Sequence, residues 1–251
     1  MKYNKLTLLN LLYCLLLPLN ANSKVDSIEV ICDIWPPYQT INNNQVGGFS
    51  TEIIKLVFKR LNVKVKKIRN YPWKRAITMI EKGEIDALYS ANFTKDRTNF
   101  AYYPDEMIIV SPWFLWIKEE DNLKFNSLTD LSGKSIGVVR GYSYTKEFWQ
   151  YIKNNSIYKE AVNDEQNFSM LNAGRVDFIS AELGNGLYTI QKLGLSNIKA
   201  LTKKPIKVDG LYIIFNKKTI PKPFVKQFSK ELKSLKQEPI YQFIYNQYFI
   251  Q

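Results

Sequence analysis

The stretch Tyr71–Arg97, YPWKRAITMIEKGEIDALYSANFTKDR, decides the fold. Pro72 stands at a first-turn position and Gly83 just beyond the last apolar repeat. That is the favoured punctuation at the two ends of a helix, so PWKRAITMIEKG is expected to be helical. IDALYS, which follows at once, is the next strand. Upstream, Val25 to Ile34 alternates and carries β-branched residues, a strand that Pro36 and Pro37 stop while presenting Tyr38 from a loop. Gly47 and Gly48 make a turn before STEIIKLVFKRLN. There Ile53, Val57 and Leu61 fall at helical spacing, with Ser50 or Thr51 as the expected N-cap. VKVKKI alternates as a second strand. Strand, helix, strand, helix, strand is the pattern of a parallel α/β sheet.

The same grammar returns downstream. KSIGVVRG is a strand leading through Gly141 into a helix around YTKEFWQYI, and SMLNAGRVDFISAE is a helix, a turn and a buried strand. NIKAL and GLYIIFNK add strands. Phe224, Phe228, Leu232 and Leu235 mark an amphipathic helix, with the aromatic tail IYQFIYNQYF after it. The extended apolar segments MIIVSPWFLWIK and GLYIIFNK bracket the middle unit, so the chain leaves one lobe, builds a second and returns. The expected architecture is α/β and two-lobed, each lobe a mainly parallel sheet flanked by helices, the two joined by crossover strands that act as a hinge. The boundaries read as a signal peptide at residues 1–21, lobe one at 22–117 plus 213–251, and lobe two at 118–212.

The chain has 251 residues, of which 45% are hydrophobic, enough to bury a full core. Lys2 and Lys5 precede an apolar run from Leu6 to Leu19, and Pro18 leads into LNANSK, the pattern of a secretory signal peptide. The run is short of the roughly 20 residues that span a bilayer. Cleavage is expected near Ala21, and the bulk of Tyr13 argues against lipidation of Cys14. With the signal removed only Cys32 remains, which allows no intramolecular disulfide even in the oxidising compartment that export implies. Cys32 itself reads as a buried thiol.

Loss of Lys2 and Lys5 takes the formal charge from +12 to +10. The lysines are dispersed along exposed helix faces and no nucleic-acid motif is present. The charge therefore reads as solvation with a general attraction for anions, and nucleic acid is not an expected partner. There is no histidine, which excludes Ser-His-Asp and Cys-His catalysis and most zinc sites. Neither G-x-x-x-x-G-K-[ST] nor G-x-G-x-x-G occurs. No catalytic residue, cofactor or metal is expected.

In order along the chain stand WPPY, GGFSTEIIKLVFKRL, Tyr71–Arg97, LTDLSGKSIGVVRG and LNAGRVDFISAE. Together they resemble the bacterial extracellular solute-binding proteins of family 3, the polar amino-acid receptors of ABC transporters. The matching patterns are G-F-x-x-[DE], W…G-x-[IV]-D-A…T-x-x-R, L-x-G-[KR]-x-[IV]-G-[IV] and G-R-[IV]-D-A, and they cover nearly all of the mature chain. The resemblance implies a type II periplasmic-binding-protein clamshell that closes on its ligand. It also implies that Arg97, the Arg of T-x-x-R, holds a ligand carboxylate. Glu182, five residues after Asp177, would hold an amino group, and Tyr38 would stack on the ligand.

The residues themselves point to the same region. Open α/β sheets bind ligands outside the carboxyl ends of their strands, and an Arg fork grips a carboxylate in bidentate fashion. Tyr38, Ser90–Arg97, Gly141–Tyr144 and Glu182 all sit just past expected strands. The candidate ligand contacts are Tyr38, Trp73, Arg75, Ser90, Ala91, Asn92, Arg97, Gly141, Tyr142, Ser143 and Glu182. Asp33 is placed either to meet a cationic side chain or to cap a loop, whereas Asp86 and Asp177 read as structural.

Three departures from the family bear on the ligand. SANFTKDR is one residue shorter than S-G-M-T-x-T-x-x-R and lacks its first Thr, so Ala91 and Asn92 present different groups. Tyr142 replaces a small Thr or Ser, and Glu182 is a methylene longer than the usual Asp. The expected function is capture of a small polar, carboxylate-bearing ligand by a monomer that delivers it to a membrane permease. One rival is a dehydratase-like enzyme on the same scaffold, using Glu182 or Glu52 with a raised pKa. The other is a sensor without a cognate transporter.

Overall fold

A computed structural model describes residues 25–249; the expected signal peptide, 1–21, lies outside them. The chain opens with β1 (Ser27–Cys32), a hairpin of β2 (Thr40–Asn42) and β3 (Gln45–Gly47), α1 (Phe49–Arg60), β4 (Lys64–Asn70), α2 (Trp73–Lys82), β5 (Ala87–Ala91) and the short β6 (Ala101–Tyr102). The long strand β7 (Ile109–Lys118) carries it into a second unit. There β8 (Ser135–Val139), α3 (Lys146–Asn155), β9 (Ile157–Ala161), α4 (Asp164–Asn172), β10 (Phe178–Glu182), α5 (Leu183–Leu193) and β11 (Ile198–Ala200) follow. A second long strand, β12 (Lys207–Asn216), brings it back to α6 (Lys222–Leu235) and α7 (Pro239–Phe249).

The main sheet runs β4-β1-β5-β12-β7-β10-β8-β9. On one side β4, β1 and β5 are parallel; on the other β10, β8 and β9 are parallel. Between them β12 and β7 pair antiparallel from Lys207 opposite Trp113 to Leu211 opposite Ile109. Each then turns to its own half: Tyr212–Phe215 pair with β5, and Trp113–Trp116 pair with β10. The two halves therefore meet at a short ladder in which Trp113 stands opposite both Lys207 and Glu182.

Each half buries both faces of its sheet, as parallel strands require. In the first half one core holds Phe49, Val57, Phe58, Phe215, Phe228 and Leu232 beneath α1 and α6, and a smaller one holds Ile31, Ala76, Ile80 and Leu88 beneath α2. In the second half Ile136, Val138, Phe148 and Ile152 pack under α3, while Trp116, Phe168, Leu171 and Ile179 pack under α4. The periodic residues of α6 are all buried, as expected.

The punctuation of α2 lies one residue from the sequence reading at its start, where Pro72 is the N-cap rather than a first-turn residue, and as expected at its end, where Gly83 is left-handed at φ 89°. The start of α1 differs. Gly48, at φ 96°, is the N-cap, and Ser50 and Thr51 lie inside the first turn. A Cβ at Gly48 would come 2.7 Å from Tyr38 O, so close backbone approach decides the position over hydroxyl capping. Thr51 Oγ1 instead donates to Gly47 O at 2.7 Å. Asp86 and Asp177 do tie neighbouring strands: the carboxylates accept from Glu29 N at 2.9 Å and Ser135 N at 2.7 Å. Cys32 is free and buried, and burial pushes its thiol up to about 12. No described helix is long and apolar enough to cross a membrane.

Candidate ligand cleft

Above the ladder of β7 and β12 lies a cavity of about 50 Å³. Asp33, Trp35, Gln39, Trp73, Tyr89, Ser90, Asn92 and Arg97 line it from the first half, Gly141, Tyr142 and Ser143 from the second, and Trp113 from the crossover strand. Five of these twelve residues are aromatic and six carry polar or charged side chains, so aromatic walls hold convergent polar groups, a make-up suited to a small polar molecule.

The polar groups come from strand ends. Ser90, the next-to-last residue of β5, has a left-handed φ of 59°, a conformation uncommon for a residue with a Cβ and frequent at functional turns. Gln39 Nε2 donates to Ser90 Oγ, joining the Pro-Pro corner to this turn. The loop beyond folds back through a short 3-10 turn, Asp96–Asn99, which carries Arg97. Arg97 Nη1 donates to Asn92 O at 2.8 Å, and the guanidinium lies 5.0 Å over the Trp73 ring. Backbone contact and ring stacking fix the fork at the cavity wall, and a guanidinium has five donors, so others are left for a carboxylate.

Asp33 Oδ1 accepts from Ile34 N at 2.7 Å; burial raises its pKa against the opposing hydrogen bonds from Ile34 and Trp73 amides. On the crossover strand β12, Lys207 Nζ donates to Ser143 O at 2.9 Å and pairs with Asp209 at 3.0 Å. Burial lowers the pKa of this lysine, and its partner Asp209 opposes that shift. Arg97 is close enough to add to the lowering. No group of His, Cys, Asp or Glu suited to hold a metal occurs among the described residues.

A cleft between two α/β halves joined by two strands is the arrangement of a binding clamshell, and residues 28–251 match the bacterial extracellular solute-binding proteins of family 3. The chain belongs to that family. The arginine-binding periplasmic protein of Mannheimia haemolytica is 26% identical to it over 254 residues, 97% of this chain and 98% of that protein. Among solved structures, an ancestral arginine-binding protein bound to arginine is 21% identical with a TM-score of 0.75, covering 89% of this chain and 98% of that one. The GluR0 ligand-binding core in complex with L-glutamate is 17% identical with a TM-score of 0.76, over 89% and 98% of the respective chains. These two structures share the fold.

Of the candidate contacts, Trp73, Ser90, Asn92, Arg97, Gly141, Tyr142 and Ser143 are brought together on the cavity wall. Four are not. Ala91 is fully buried in the core under α2 beside Leu88, because the left-handed Ser90 breaks the alternation of β5 and turns the next side chain into that core. Arg75 is not part of the cavity wall and lies 4.7 Å over the Tyr71 ring. Tyr38, expected to stack on ligand, is 2% exposed, packed between Trp35 and Phe249. Its hydroxyl donates to Glu182 Oε1 at 2.8 Å. Glu182, expected to face the ligand, is 1% exposed and caps α5 by accepting from Asn185 N on Oε2 at 2.8 Å. Burial pushes its pKa up to about 7, with the Asn185 and Tyr38 hydrogen bonds opposing.

The physical reason is close approach of the two halves. A Cβ at Gly184 would stand 2.6 Å from Tyr38 Oη, so the N-terminus of α5 presses directly on the Pro-Pro corner. Asn185 Nδ2 donates to Pro36 O at 2.6 Å in the same contact. The wall residues Gln39, Tyr89 and Trp113 were not singled out from sequence. Tyr89 is signalled only by its place beside Ser90, and Trp113 only by its place in a hinge strand.

Proposed function

We propose that this family 3 protein captures a small, carboxylate-bearing ligand of the amino-acid class in the cleft between its halves. Lobe one then comprises 22–117 plus 213–251 and lobe two 118–212, turning about the β7–β12 ladder. The observation that carries this reading is Arg97: a guanidinium braced by Asn92 O and Trp73, at a cavity lined from both halves. A ligand held by Arg97 and Ser90 on one side and by Gly141–Ser143 on the other makes all its contacts only with the halves together. Binding therefore shifts the population towards closure. The closed form of the exported monomer presents itself to a membrane permease, the role that family membership and the arginine-binding relative support.

The dehydratase-like rival needs a raised-pKa carboxylate at the reacting atoms. Glu182 has the pKa but is shut between Tyr38 and α5, away from the cavity. Asp33, which does line the cavity and is raised by burial, is held by the Ile34 and Trp73 amides, and binding without turnover is the reading that family membership supports. A thermal-shift screen of amino acids, organic acids and polyamines tests it. A ligand at about 100 times its dissociation constant stabilises the protein by about 2.7 kcal/mol. A panel in which no carboxylate raises the melting temperature would overturn the proposal.

A further inference from the structure

The cavity of about 50 Å³ is well below the roughly 300 Å³ at which small-molecule pockets begin. Tyr142 is one of the large side chains on its wall. Its ring meets Trp35 edge-on at 6.4 Å and Trp113 edge-on at 5.8 Å. Its hydroxyl donates to Asp164 Oδ2 at 2.7 Å, and Trp35 Nε1 donates to the same oxygen at 3.2 Å. Both donors line the cavity, so Asp164 stands directly behind that wall. It is 6% exposed, and its Oδ1 is buried with no hydrogen-bond partner. Asp33, across the cleft on the first half, is near enough to disfavour ionisation of Asp164.

Two further facts set this acid apart from Glu182. Both Glu182 oxygens are engaged, by Tyr38 and by Asn185 N, whereas Asp164 has one free. Tyr142 also follows Gly141, which is left-handed at φ 81° and has nothing within 4 Å of where a Cβ would stand. The phenol thus hangs from an unpacked pivot, while Glu182 begins a helix.

We infer that Tyr142 occupies, on Asp164, the place that a ligand's cationic group takes, so that Asp164 with Trp35 selects an ammonium or guanidinium while Arg97 holds the carboxylate. The assignment rests on the receptor reading above and deepens it. A charged donor makes a stronger bond to a carboxylate than a neutral phenol does. A buried carboxylate also gains the counter-charge it lacks. Swinging Tyr142 aside both frees Asp164 and enlarges the cavity. Asp33 then flanks the same cationic group from the other half.

Calorimetric titration of arginine, its neutral isostere citrulline, and agmatine, which lacks the carboxylate, tests the assignment. The proteins are wild type, Asp164→Asn, Tyr142→Phe and Glu182→Gln, each checked for folding by circular dichroism. Wild type should prefer arginine to citrulline by about tenfold or more, the worth of a charge-assisted bond. Asp164→Asn should erase that preference, Glu182→Gln should keep it, and Tyr142→Phe should tighten arginine several-fold by removing the competing donor. A preference that survives Asp164→Asn, or one that vanishes in Glu182→Gln, overturns the assignment and leaves the receptor reading intact. Binding of agmatine alone, lost in Asp164→Asn, would uphold the assignment and overturn the carboxylate reading. No binding of any probe to wild type or Tyr142→Phe overturns both.

Discussion

The two halves of the molecule begin alike and end differently. In GEIDA and in GRVDF the aspartate precedes a buried strand, and its carboxylate reaches the neighbouring strand: Asp86 to Glu29 N, Asp177 to Ser135 N and Oγ. Beyond these strands the parallel breaks. β5 runs into the left-handed Ser90 and an open loop that sets Arg97 at the cavity. β10 runs straight into α5, and its last residue, Glu182, is spent on the helix N-terminus and on Tyr38 of the other half. The spacing of a motif thus specifies scaffold in both halves. What the residue at the strand end does depends on what the opposite half brings against it.

The comparison can be broken in several ways. The largest expected effect is on stability, through Asp177→Ala. Loss of an acceptor serving both Ser135 N and Oγ should cost about 2–3 kcal/mol in denaturant unfolding, with ligand affinity per folded molecule unchanged. Asp86→Ala, which frees one amide, should cost about 1–2 kcal/mol. If either variant abolished binding while remaining as stable as wild type, the scaffold role would be wrong.

A second test uses pH. Because burial raises Glu182 from 4.5 to about 7, the folded protein binds that proton more tightly than the unfolded chain. Its contribution to stability is full below about pH 4.5 and is lost as pH rises through about 7. Over that window the loss should be of order 2 kcal/mol, and in Glu182→Gln this part of the slope should disappear. Melting temperatures from pH 5 to 8 check it; equal slopes in the two proteins would mean that Glu182 is not held as described.

Smaller still is Tyr38→Phe, which removes one donor from Glu182 Oε1 and should cost about 1 kcal/mol. It should also raise the Glu182 pKa further, moving the midpoint of the pH profile upward. An unaltered profile would show that the bond between the halves is not made in solution.

Much of the scaffold was legible in the sequence because its signals are local. Pro72 and Gly83 bound α2, the spacing of Phe224 to Leu235 gives α6, and the two apolar runs give β7 and β12. α5 was hidden because Gly184 and Gly186 lower helix propensity. Their reason is tertiary: a Cβ at Gly186 would come 2.2 Å from Trp116 Cζ2. β9 was missed since Ile157, Tyr158, Lys159 and Glu160 are all exposed at a sheet edge and show no alternation.

The candidate site divides in the same way. Arg97 and Ser90 could be placed because loop and strand end are contiguous in the chain. Glu182 and Tyr38 could not, being 144 residues apart and defined by their contact with each other. Asp164 was invisible for a like reason: its relation to the cleft runs through Trp35 and Tyr142.

The most direct test of the account is calorimetric titration of the tightest-binding carboxylate from the panel onto wild type, Arg97→Lys and Arg97→Ala. The account predicts a dissociation constant raised by roughly 10- to 100-fold in Arg97→Ala, the worth of charge-assisted bonds to a carboxylate. Arg97→Lys should fall between, since it keeps the charge and loses the fork. Equal affinity in all three folded proteins would contradict it, and would move the ligand's carboxylate away from Arg97.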